Sequence, residues 1–149
     1  MSKRVLIPSL VGVVVIGGVT AGGLAMASTA AEPTLEKNSV RYVAPAGSST
    51  GSLTFTADVR DDSGVRGLKV IAWPASSKLD PTEAEMRDVE SATCRGTTDN
   101  TSRCTYTLKV TAKDAAELDP GTWYISALAT AKDGGTVFLP RAATLDLAH

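Results

Sequence analysis

Histidine is almost missing from this chain: among its 149 residues the single imidazole is His149, the last one. A frayed terminus holds no general base in a fixed geometry, so a Ser-His-Asp or Cys-His arrangement lacks its base. Cysteine is nearly as scarce, with only Cys94 and Cys104. Two cysteines committed to each other leave a zinc ion only carboxylates and a terminal imidazole. There is no glycine-rich phosphate loop of the P-loop or dinucleotide kind. Neither sign of charge dominates, since 15 basic residues face 16 acidic ones. That balance argues against nucleic acid or an anionic membrane surface as a partner. Paired carboxylates can hydrolyse glycosides, but the acidic residues here fall mostly in turns and helical starts, where capping and solubility account for them. The expectation is a protein that is not an enzyme.

One long apolar run is present, and it lies at the N-terminus. Lys3 and Arg4 precede an uncharged stretch from Val5 to Met26, which ends in the small-residue pattern Ala25-Met26-Ala27. Cations that stay in the cytoplasm, an apolar run that enters the bilayer and small side chains that fit a narrow protease site are the parts of a secretion signal. Cleavage is expected between Ala27 and Ser28, with a second candidate after Ala31. The run is long enough to span a bilayer as an uncleaved anchor, although Pro8, Gly12, Gly17, Gly18 and Gly22 make it a mediocre permanent helix. No cysteine follows it to carry a lipid, and no apolar sorting tail ends the chain, so residues 1–27 are the expected membrane attachment, if there is one.

Without residues 1–27 the chain has 122 residues and a net charge of −3, the size of one domain. Both cysteines are in this exported part, and an even count in an oxidising compartment implies a disulfide between Cys94 and Cys104. Nine intervening residues do not make a C-x-x-C redox pair. Residues 28–37 read as a polar leader and 38–149 as the folded domain.

Within the domain, apolar and polar residues alternate at period two, the mark of half-buried strands. Short strands are predicted over Ser39–Val43, Ser52–Arg60, Val65–Trp73, Val89–Cys94, Cys104–Thr111, Thr122–Ala131, Thr136–Leu139 and Ala143–Leu147. Asp61-Asp62-Ser63-Gly64 and Asp133-Gly134-Gly135 carry turn chemistry. Asp80 as N-cap, Pro81 at the first position and Glu83 at the third predict a helix to about Arg87. A second helical turn is predicted over Lys113–Leu118. About seven strands with regular turns predict an all-β, antiparallel sandwich of immunoglobulin or fibronectin-III type, with one or two helical turns and a signal helix in front.

Two stretches, Asp58-Val59-Arg60-Asp61-Asp62-Ser63-Gly64-Val65 and Gly121-Thr122-Trp123-Tyr124-Ile125-Ser126-Ala127, resemble bacterial Ig-like surface domains. The runs Leu68-Lys69-Val70-Ile71-Ala72-Trp73-Pro74-Ala75-Ser76-Ser77 and Met86-Arg87-Asp88-Val89-Glu90-Ser91-Ala92-Thr93-Cys94 resemble an uncharacterised family of small secreted actinobacterial proteins. The likeness implies export and a β-sandwich and brings no mechanism with it. It differs from antibody domains in that the cysteines are expected to bridge neighbouring strands, not the two sheets.

Two groups of residues have binding chemistry. In an Ig-like sandwich the loops holding Asp61, Asp62 and Asp133 emerge at one end, where three carboxylates are a candidate Ca²⁺ site. The same residues are ordinary turn formers. Trp73, Trp123, Tyr124 and Tyr106 are candidates for a platform that stacks on a sugar or peptide. Core packing is the competing role, with Trp73 and Trp123 between the sheets. The expected function is a small secreted binding module acting on a protein or envelope component, and the alternative is a structural envelope protein held by its N-terminal anchor.

Overall fold

Alternation at period two needs a buried face to be of use, and each long strand supplies one. In the strand Gly51–Arg60 the residues Leu53, Phe55, Ala57 and Val59 are buried, while Thr54, Thr56 and Asp58 between them are half-exposed. The computed structural model describes residues 32–147 and the two-residue strand Val15–Ile16. The rest of the expected signal, its Ala27–Ser28 junction and His149 lie outside the described residues.

The strands are β1 (Val15–Ile16), β2 (Thr34–Val43), β3 (Gly51–Arg60), β4 (Val65–Pro74), β5 (Thr93–Gly96), β6 (Thr101–Val110), β7 (Gly121–Ala131) and β8 (Thr136–Leu147). They form two antiparallel sheets, β1-β2-β3-β6-β5 and β4-β7-β8. The seven strands from β2 onward follow the 1-2-5-4 and 3-6-7 order of a constant-type immunoglobulin sandwich. Leu53, Phe55, Val59 and Tyr106 of one sheet and Leu68, Val70, Trp123, Ile125 and Leu145 of the other share one core cluster. Among the described residues, the buried members of that cluster lie between Leu35 and Leu147.

The leader expected over 28–37 is shorter than that, because β2 starts at Thr34. A β-bulge between Glu36 and Ser39, with Lys37 at φ 56°, interrupts the alternation and hides the first half of the strand from period-two reading. The bulge turns Asn38 inward, where its Nδ2 donates to the Ala142 carbonyl of β8 at 3.3 Å and ties one sheet to the other. The two short strands expected at the C-terminus are one, β8, with a bulge where Pro140, Arg141 and Ala142 stand opposite Ser126 alone. Proline, which has no N–H for the ladder, is suited to such a place.

The expected helix from Pro81 to Arg87 is reduced to a 3₁₀ turn, Glu85–Asp88. The reciprocal cap is made by Thr82 and Glu85: the Thr82 N–H donates to Glu85 Oε1 and the Glu85 N–H to Thr82 Oγ1. Asp80 is not an N-cap and has the left-handed φ of 42°. The second helical turn is an α-helix, α1 (Ala112–Ala116), with a capping box between Thr111 and Asp114. The strand expected over Val89–Cys94 begins later, at Thr93; Ser91 makes only an isolated bridge to Lys69 of β4.

The residues between β4 and β5 cover the outer face of the three-stranded sheet. Met86, fully buried, comes from the 3₁₀ turn that packs over β4 and β7. Trp73, Met86 and Leu128 are buried but do not belong to the inter-sheet cluster. Trp123 lies between the sheets as expected, whereas Trp73 is on the other side of its sheet, under this insert. The parity of β4 explains it: Leu68, Val70 and Ala72 take the inner face, so Trp73 faces out.

Cys94 and Cys104 are directly paired across β5 and β6 and form a disulfide. Closing a loop of this length stabilises the fold by about 3 kcal/mol through the unfolded chain's entropy. Replacing both cysteines with alanine is expected to lower the unfolding free energy by about 2–4 kcal/mol, measured by urea denaturation. A second expectation concerns Tyr42, which is 1% exposed and whose hydroxyl is pushed up to about 12 by burial. The unfolded chain releases this proton near pH 10 and the folded one only near 12, so folding stability falls as pH rises through that window. Melting curves between pH 9 and 12 should show a smaller loss in Tyr42→Phe than in the parent.

Candidate functional site

The loops that hold the acidic candidates do meet at one end of the sandwich. Lys132 N–H donates to the Gly64 carbonyl at 3.0 Å, and Asp133 N–H donates to Ser63 Oγ at 3.1 Å. Their carboxylates serve the turns. Asp61 is buried, and its Oδ2 accepts from the Ser63 N–H at 2.9 Å and the Ser63 hydroxyl at 2.7 Å. Asp133 Oδ1 accepts from the Gly135 N–H at 3.0 Å, and Asp62 points to solvent. Gly64, at φ 100°, completes the first turn, and Gly134, at φ 96°, the second. Among the described residues no group of three or more His, Cys, Asp or Glu side chains is placed to hold a metal ion. The Asp61 and Asp133 carboxylates, two of the three Ca²⁺ candidates, form two Asx-type turns joined by Ser63.

The aromatic candidates separate. Trp123 and Tyr106 belong to the core cluster; the Trp123 indole N–H donates to the Asp119 carbonyl and the Tyr106 hydroxyl lies 3.0 Å from Glu90 Oε1. Trp73 and Tyr124 sit opposite each other on β4 and β7, on the outer face, with ring centroids 5.0 Å apart and planes tilted by 56°. That spacing suits a tilted aromatic pair. Arg141, thrown out by the β8 bulge, places its guanidinium 4.3 Å from the centre of the Tyr124 ring.

A chain of buried hydrogen bonds holds this stack. The Trp73 indole N–H donates to Ser126 Oγ at 2.8 Å, and the Ser126 hydroxyl donates to the Pro140 carbonyl at 2.7 Å. Ser126 is fully buried and lacks a ladder partner at the bulge, so its hydroxyl is both acceptor for β4 and donor to β8. The residue next to the anchored carbonyl is Arg141.

Beside the stack is an open cleft of about 420 Å³, lined by Asp80 from the insert and by Leu139, Pro140 and Arg141 from β8. Its size suits a small ligand or a short peptide segment. The insert side is a constrained loop: Lys78 at φ 55° and Asp80 at φ 42° flank Leu79, which is one of the two large exposed apolar residues among those described. Among the described residues the only ion pairs involve Asp58, with Arg103 at 2.6 Å and Lys37 at 3.9 Å. Neither the Arg141 guanidinium nor the Asp80 carboxylate has a hydrogen bond or ion pair to a described residue.

Sequence reading reached Trp73 and Tyr124 but not Asp80, Leu139, Pro140 or Arg141. Pro140-Arg141 between two apolar runs does signal a break in a strand. Nothing local to the sequence ties that break to Asp80. Ser126→Ala would strand the buried Trp73 indole N–H without an acceptor, a cost of about 1–3 kcal/mol. Its unfolding free energy should fall by that amount, and the near-ultraviolet dichroism of Trp73 should change with it.

No curated protein and no solved structure matches the chain. A family of unknown function, DUF5707, has a sequence profile that matches residues 35–129, from β2 to β7, which is more than half of the chain. The protein belongs to that family.

Proposed function

We propose that this protein is an exported binding module without catalytic chemistry of its own, and that its ligand surface is the outer face of the three-stranded sheet. The observation that carries the reading is the stack of Trp73, Tyr124 and Arg141 beside the cleft, because it holds a cation on an aromatic ring with no ion-pair partner for the charge among the described residues. Export is supported by the N-terminal signal pattern and by the disulfide, which persists in oxidising compartments. Among the described residues no helix is long and apolar enough to cross a membrane.

The surface also narrows the partner. Val43 and Leu79 are the exposed large apolar residues among those described, and they do not make a patch of several hundred Å². A broad, dry protein–protein interface therefore has little here to build on. A small molecule or a short segment of a larger envelope component fits the cleft better.

The test is a nuclear magnetic resonance titration of the ¹⁵N-labelled full-length protein with solubilised peptide and saccharide fractions of the envelope. Shifts are expected at Asp80, Tyr124, Leu139 and Arg141, and they should be reduced in Tyr124→Ala. Absence of any perturbation at these four positions would overturn the binding reading.

A further inference from the structure

We propose that the cleft between Asp80 and the β8 bulge receives the free C-terminus of a peptide, an assignment that rests on the binding reading above and gives it a ligand class. Arg141 is the recognition element. A guanidinium carries its five N–H donors in its own plane, so stacking on Tyr124 uses the face and leaves the edge for a partner. A planar fork of this kind matches a carboxylate with two parallel hydrogen bonds. No carboxylate of the described residues pairs with it, and Arg141 is exposed, so the fork is open to an acceptor that arrives from solution.

The other lining residues separate a peptide from other anions. Leu139 and Pro140 give an apolar wall next to Arg141, which suits an apolar terminal side chain. Asp80 supplies a carboxylate that accepts a hydrogen bond from the N–H of the preceding residue. A bare inorganic anion would gain nothing from the apolar wall and offers no N–H to Asp80. A cation, an apolar wall and an acceptor in one cleft of about 420 Å³ are the complement of carboxylate, side chain and amide N–H.

The geometry is set before the ligand arrives. The Trp73–Ser126–Pro140 hydrogen bonds fix the bulge, and the aromatic pair fixes the plane on which Arg141 lies. Less side-chain freedom is then lost on binding than for an arginine free in solvent.

The experiment titrates the full-length protein with acetyl-alanyl-alanyl-valine bearing a free carboxylate, with the same peptide as its amide, and with glucuronate. The acid is expected to shift Arg141 and Leu139 and to bind at least tenfold more tightly than the amide. Arg141→Gln should lose at least tenfold for the acid while its melting temperature stays within a degree or two of the parent. Equal binding of acid and amide would overturn the role of Arg141, and glucuronate binding as tightly as the acid would overturn the peptide assignment. If the acid fails to bind while envelope fractions still perturb the cleft, the C-terminus assignment falls and the binding module stands. If neither perturbs it, both fall.

Discussion

Strand β7 carries buried residues on both of its faces. Ile125, Ala127 and Ala129 face the other sheet, while Ser126 and Leu128 face outward and are just as inaccessible. A two-layer sandwich covers one face of each sheet, so the outer face of β4-β7-β8 needs cover of its own. The insert between β4 and β5 provides it, with Met86 as the buried anchor and hydrogen bonds that fasten its ends. Val70 N–H donates to the Glu90 carbonyl, Ala92 N–H to the Leu68 carbonyl, and Lys69 Nζ to the Val89 carbonyl. Burying a methionine of this kind is worth about 1.5–3 kcal/mol. Cover for β7 shapes the rest of the outer face: the first part of the insert brings Asp80 to the β8 bulge, and the cleft is the seam between them.

The same insert closes one flank of the sandwich. It runs along the edge of β4 and crosses into β5, so that edge is not free to pair with another chain. The disulfide then pins β5, only four residues long, to β6. The opposite flank is handled differently. There β2, which pairs with β1, and the edge strand β8 both carry bulges, and Asn38 joins them by its hydrogen bond to Ala142. Asn38 Oδ1 has no protein partner although it is buried, a cost tolerated where the bulge demands an inward polar side chain.

Strands were legible wherever alternation was unbroken. Gly51–Arg60 and Gly121–Ala131 fall within a residue of where the pattern places them, because a period of two with β-branched and aromatic residues leaves few alternatives. The pairing of Cys94 with Cys104 was equally plain, since two cysteines have one way to pair. Errors gathered where a bulge or a cap shifted the frame. Lys37 and the Pro140–Arg141 step each broke a strand in the reading but not in the fold. Asp80-Pro81 mimicked a helix start, yet the turn forms two residues later, around Thr82 and Glu85.

By itself, the sequence determined the class of the fold and the pairing of the cysteines. Each follows from local periodicity or from counting. Only the tertiary structure decided which face of its sheet Trp73 occupies, that Asp61 and Asp133 spend their carboxylates on turns, and that Asp80 and Arg141 line one cleft. Those outcomes depend on strand parity, bulge register and contacts between residues some 60 positions apart. A chain read locally does not contain them; they arise when two sheets and an insert compete to cover the same apolar strand.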